Sequence, residues 1–141
     1  MRWILRLAGI MTNILVLTGS PAFADQPTGK QLSATEIKSK IIGNTTRINS
    51  KKGNWIVVFW NDAGTLYGKS EAVGAKGRVS GSWKLTDDGK LCSSWNSARW
   101  ESGCRTLFLD EKTGQIQNYN MEGSPTGTIT EILPGNPEKL Y

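Results

Sequence analysis

Apolar residues recur at two different periods along this chain, and the change from one to the other falls near residue 44. In LSATEIKSKIIG, residues 32–43, Ile37, Ile41 and Ile42 form a stripe at helical spacing. Ser33 stands as a candidate N-cap, with Glu36 three positions later to complete a capping box. Leu32 and Ile37 are set for a hydrophobic staple, and Gly43 occupies a C-cap position. The spacing predicts a helix over about Ala34 to Ile42. From Thr45 onward the chain changes to short runs of β-branched and aromatic residues. They predict strands near Thr45–Asn49, Trp55–Asn61, Thr65–Glu71, Arg78–Thr86, Leu91–Asn96, Trp100–Leu109, Gln115–Met121 and Thr128–Leu133.

The segments between these runs, such as KKGN, NDAG, VGAKG, DDGK and DEKTG, are turn compositions that offer Gly or Asn for positive φ. Connections this short favour antiparallel neighbours, because a parallel crossover takes a dozen or more residues. A meander of about eight strands avoids bare edges by closing on itself or folding into two sheets. The expected fold is therefore mainly β: an eight-stranded antiparallel meander forming a lipocalin-like barrel, or a two-sheet sandwich, with one short N-terminal helix. Gly81-Ser82-Trp83 in VSGSWKL is read as a packing feature.

Residues 1–24 carry Arg2 and Arg6, an apolar stretch through Leu17, and small residues at Ala22 and Ala24. This is the three-part form of a secretory signal peptide with an A-x-A cleavage site, and its apolar part is short for a membrane span. The expected organisation is a signal peptide over residues 1–24, a flexible leader over 25–31, and a single β-barrel-like domain over 32–141. No membrane span is expected after cleavage. Loss of Arg2 and Arg6 lowers the formal charge from +5 to +3, and the remaining basic residues are scattered in ones and twos. That distribution lacks the concentrated basic face of a nucleic-acid binder, so no nucleic-acid partner is expected.

The chain contains no histidine. Ser-His-Asp and Cys-His nucleophiles and His-containing zinc sites are excluded with it. No glycine-rich phosphate loop or metal-ligand cluster is present in the sequence, so no cofactor and no metal are expected. The two cysteines stand in LCSSWNSARWESGCRTLF, residues 91–108. A hairpin turning at Ser97-Ala98-Arg99 places Cys92 opposite Cys104 and Trp95 opposite Glu101. Facing cysteines on adjacent strands meet the geometric needs of a disulfide, and an exported chain meets an oxidising compartment. A Cys92–Cys104 staple is expected.

Trp55, Trp60, Trp83, Trp95 and Trp100 remain after signal removal. Most aromatic residues of a small domain serve its core, and a barrel mouth offers the alternative of a stacking surface. Trp60, Trp95 and Trp100 are the candidate ligand-binding residues. In WIVVFWN, Trp55, Val57 and Phe59 share one face and Ile56, Val58 and Trp60 the other, so both faces of that strand need cover. Strict alternation in the cysteine hairpin puts Trp100 on the face of Cys92 and Cys104, and Trp95 with Leu91 and Leu107 on the other. Glu101 and Arg105 are expected to pair on one face of a strand. The acids Asp87-Asp88 and Asp110-Glu111 sit in turns, where they cap local backbone. No catalytic residue is assigned.

LSATEIKSKIIGNT, GRVSGSWKLTDDGKLC, a second cysteine in the next strand and ILPGNPEKL together resemble the small exported bacterial proteins grouped as domain of unknown function 995. The resemblance spans most of Leu32 to Leu140 and implies a single exported β-rich domain, with no catalytic residue or ligand to carry over. The expected function is a non-enzymatic binding domain of the bacterial envelope, periplasmic or secreted. Its expected partner is an envelope glycan, an apolar small molecule or a protein. The alternatives are a small carbohydrate-active hydrolase using carboxylates such as Glu101 or Asp62, and an inhibitor of a lysozyme-type hydrolase.

Overall fold

A computed structural model describes residues 27–70 and 77–141. The signal-peptide reading of residues 1–24 lies outside the described residues, as does the VGAKG turn up to residue 76. A short strand β1 (Lys30–Gln31) leads into helix α1 (Ala34–Lys40). Eight strands follow: β2 (Asn44–Ser50), β3 (Trp55–Trp60), β4 (Thr65–Ser70), β5 (Arg78–Leu85), β6 (Leu91–Trp95), β7 (Gly103–Leu109), β8 (Ile116–Tyr119) and β9 (Pro125–Pro134). Each of β2 to β9 pairs antiparallel with its chain neighbour, and β9 pairs back onto β2, so the meander closes as an eight-stranded barrel. Closure removes the bare edges that an open sheet of this length exposes.

α1 begins as the sequence predicts. The Glu36 backbone N–H donates to Ser33 Oγ at 3.2 Å, and Ser33 N–H donates to Glu36 Oε2 at 2.8 Å. Leu32 and Ile37 are both buried beside the cap. The helix ends at Lys40, two residues short of the expected Ile42, because Ile41 takes the C-cap and Gly43 turns the chain at φ +83° to give its N–H to the Trp60 carbonyl. Lys30 and Gln31, expected to end a flexible leader, instead pair with Leu109 and Phe108 of β7. They occupy the flank of β7 that β6 leaves free, since β6 and β7 are in register only over three residue pairs.

The barrel interior is graded from one end to the other. Leu32, Ile37 and Ile41 plug the end where α1 sits and pack with Leu66, Leu91 and Leu107 in a continuous core. The opposite end, bounded by the β2–β3, β6–β7 and β8–β9 loops, is where polar residues enter the inner wall. On β3, Ile56, Val58 and Trp60 face this interior, while Val57 and Phe59 face outward into a second cluster with Leu140. The cover expected on both faces of WIVVFW is therefore present, and the C-terminal segment supplies the outer half.

That segment is held by reciprocal hydrogen bonds between the start of β2 and Gly135. Gly135 N–H donates to Asn44 Oδ1 at 3.1 Å, and the Thr45 hydroxyl donates to the Gly135 carbonyl at 2.7 Å. Glu138 then bridges Lys69 at 2.7 Å and Arg47 at 3.0 Å, which holds its carboxyl below the usual carboxylate range, the Lys69 hydrogen bond contributing most. Gly81-Ser82-Trp83 has the packing role read for it. Trp83 donates its indole N–H to the Asn61 carbonyl at 2.7 Å, and a Cβ at Gly81 would collide with the Ser94 carbonyl oxygen on β6.

Candidate functional site

Eight strands enclose an interior just wide enough to be filled by side chains or to hold one small ligand. Here the α1 end is filled and the other end is not: a cavity of about 510 Å³ opens between the loops. Its inner wall carries Ile48, Ile56 and Val58, with Trp60 at the boundary to the core. Trp60 is buried and donates its N–H to Thr46 Oγ1 at 3.0 Å, so its ring is fixed and its polar atom satisfied. Trp95 and Trp100 are only partly buried, and their rings lie 4.5 Å apart with an interplanar angle of 53°. All three tryptophans named from the sequence thus line one cavity.

Trp100 reaches that cavity by a route the alternation pattern does not describe. β7 starts at Gly103, not at Trp100, and residues 96–102 form a loop in which Trp100 N–H donates back to the Ser97 carbonyl. Ser102 Oγ accepts from the Trp95 N–H at 2.9 Å, replacing a backbone partner at that point of the ladder. Freed from strand geometry, the Trp100 ring turns to the Trp95 side, packing against the interior core and away from the outward face of Cys92 and Cys104. Both rings then meet β4 at Gly68, where a Cβ would lie 2.8 Å from the Trp100 ring and 3.0 Å from that of Trp95.

Cys92 and Cys104 are directly opposite in register and bonded, with Cα atoms 3.9 Å apart. The bridge sits at the base of the loop that carries Trp100. Glu101 contacts Arg105 at 3.5 Å, the expected pair, although Glu101 stands in the loop and not on a strand.

Two residues of the site were not singled out from the sequence. Arg105 and Asn118 lie on β7 and β8 in the same alternating phase as the buried Leu107 and Ile116, so both face inward and line the cavity. Arg105 donates to the Cys104 carbonyl at 3.2 Å, and its side chain is 15% exposed. Asn118 is 9% exposed, and its buried Oδ1 has no hydrogen-bond partner among the described residues. The inward phase of a charged and an amide residue, in GCRTLFL and IQNY, is the signal that marks them.

Among the described residues Glu101 is the only carboxylate on the cavity wall. Asp62, Asp87, Asp88, Asp110 and Glu111 follow the ends of β3, β5 and β7, at the α1 end of the barrel. Asp62 and Glu101 therefore stand at opposite ends and do not form a pair across a cleft. No group of three or more Cys, Asp or Glu residues able to hold a metal ion occurs among the described residues, and no described helix is long and apolar enough to cross a membrane. Comparisons with protein-family models, with curated proteins and with solved structures give no match.

Proposed function

We propose that this chain is an exported, non-enzymatic domain of the bacterial envelope that binds a small molecule inside its barrel. The observation that carries the reading is the 510 Å³ cavity with Trp60, Trp95 and Trp100 on its wall. That volume falls in the range of small-molecule sites, which combine an apolar wall with a few placed polar groups. The core packed at the α1 end closes the cavity on that side, which suits it to holding a molecule. The disulfide and the sequence of residues 1–24 support export, and the resemblance noted above fits the same placement.

Among the three partners the sequence leaves open, a small molecule is favoured over a protein because the aromatic residues are recessed into the barrel interior. Among the described residues the cavity wall carries one carboxylate, Glu101, where glycosidase-type chemistry uses two, and this weighs against the hydrolase reading. The test is a native mass spectrum of protein purified gently from the periplasm of an expressing bacterium, paired with a titration by the neutral fluorophore N-phenyl-1-naphthylamine. A retained small mass, or saturable probe binding weakened by Trp95→Ala, is the expected result. An empty protein that shows no saturable uptake of the probe would remove the reading.

A further inference from the structure

The polar groups of the cavity are not evenly chosen. Among the described residues Lys51, Lys52 and Arg105 line it beside one carboxylate, Glu101. Most of those cations belong to the rim loops, whereas Arg105 belongs to a strand and points inward beside core residues. A guanidinium carries five N–H donors in a fixed fork, and the Cys104 carbonyl and Glu101 engage only part of that set. Glu101 is itself 71% exposed and 3.5 Å away, so it neutralises the Arg105 charge weakly. A partly buried cation with a weak partner is a standing preference for an anion.

Asn118 adds the complementary need. Leu107 pairs with Asn118 across β7 and β8, and Arg105 lies two residues before Leu107, so Arg105 and Asn118 are diagonal neighbours on the inner wall. Diagonal neighbours of this kind lie within reach of one ligand group. The buried Asn118 Oδ1 lacks a donor among the described residues, and an unpaired buried acceptor is costly until something supplies an N–H or O–H. Beyond this polar corner the wall is Ile48, Ile56, Val58 and the Trp95–Trp100 pair.

We infer that the cavity binds an amphiphilic organic acid, its anionic group held by Arg105, a neighbouring hydroxyl or amide N–H donated to Asn118 Oδ1, and its apolar body laid against Trp95 and Trp100. This deepens the small-molecule reading above and rests on it. Arg105 supplies charge-assisted, bidentate hydrogen bonds, the strongest polar recognition the wall can offer. The cationic rim steers such a ligand toward the opening.

The test holds the tail constant and varies the head. Decanoate, decyl phosphate, decanol and decyltrimethylammonium are titrated below their micellar ranges into the full mature chain, with tryptophan fluorescence and calorimetry as readouts. Decanoate or decyl phosphate is expected to bind at least about tenfold more tightly than decanol, and the cationic probe most weakly. The better of the two acids separates a carboxylate ligand from a phosphate one. Arg105→Met is expected to bring acid binding down toward that of decanol, and Arg105→Lys to restore part of the preference. 3-Hydroxydecanoate is expected to gain about threefold to tenfold over decanoate, a gain lost in Asn118→Leu. Equal binding of decanoate and decanol, or an acid affinity untouched by Arg105→Met, would overturn the inference and leave the small-molecule reading standing. Failure of every decyl probe and of N-phenyl-1-naphthylamine would overturn both. Thermal melts of each variant separate lost binding from lost folding.

Discussion

Trp100 rests on the bare α-carbon of Gly68: a Cβ at that position would come within 2.8 Å of the indole ring. Strand β4 therefore carries a glycine on its inner face because two tryptophans from the β6 side occupy the space a side chain would fill. Gly68→Ala is expected to push the Trp95–Trp100 pair out of its present contact and to cost about 1–3 kcal/mol, the usual range for overpacking. Near-UV circular dichroism and tryptophan emission report the ring movement, and urea denaturation reports the cost. An unchanged near-UV spectrum with unchanged stability would show that the rings do not hold this position in solution.

The Cys92–Cys104 bridge closes the loop that brings Trp100 to the cavity, and β6 and β7 are in register over only three pairs, the bridged pair among them. Reduction is expected to lower stability by about 3 kcal/mol in the chain-entropy account. Its local effect is sharper than its global one. Amide exchange across residues 96–102 is expected to accelerate more than exchange in β2, β3 and β9, where the ladders are longer. Equal acceleration throughout the barrel would mean that the bridge does not specifically anchor the loop.

How far this architecture can be read from the sequence depends on whether a feature is local. The capping box at Ser33 and Glu36, the eight barrel strands and the Cys92–Cys104 pairing are set by spacing over a few residues, and the structure contains them. Closure is different. Thr46 meets Ile132, and Phe108 meets Gln117, through pairings that a two-sheet arrangement of the same strands could replace without changing any local period. Strict alternation puts Trp100 on the wrong face because it applies only while the chain stays extended, and the chain leaves that state after Trp95. β1 is not legible because two residues carry no periodicity. Arg105 and Asn118 are the opposite case: their inward phase relative to Leu107 and Ile116 is legible in the sequence, although the pairing of Arg105 with Glu101 on one face of a strand does not by itself say which face that is.

The C-terminal segment is part of the fold and not an appendage. Leu140 is 1% exposed against Val57 and Phe59, and Tyr141 packs edge-on to Phe59 and Tyr67. Leu140→Ala is expected to cost about 2 kcal/mol, the lower end for a buried leucine, because the outer cluster is small and able to settle. Glu138→Gln removes the charge that joins Lys69 and Arg47 and is expected to cost less, since those side chains are partly solvated. Urea midpoints of the two variants check the order. A larger loss for Glu138→Gln would shift the role of this segment from apolar cover to charge bridging.

Glu36 gives the fold an acid-sensitive joint between β1 and α1. Its carboxylate accepts from Lys30 Nζ at 2.7 Å and from the Ser33 backbone N–H at 2.8 Å, and these bonds, Lys30 first, lower its pKa from 4.5 to about 2. A depressed carboxyl contributes stability that is complete above the unfolded value of 4.5 and is lost as pH falls toward 2. Lys30 is raised above 10.5 by the same contact, so on the alkaline side its contribution is complete below 10.5 and lost only as pH rises through the raised value. Glu36→Gln keeps an amide that can still complete the capping box but discards the charge. The melting temperature of the wild type is expected to exceed that of the variant at pH 6, and the gap is expected to close between pH 4.5 and about 2. Asp88 and Glu138 are also held below their ordinary values, so both proteins retain an acid limb, and the difference between them isolates Glu36. A gap that stays constant across that range would assign the effect of the substitution to packing or helix propensity instead of to the charge.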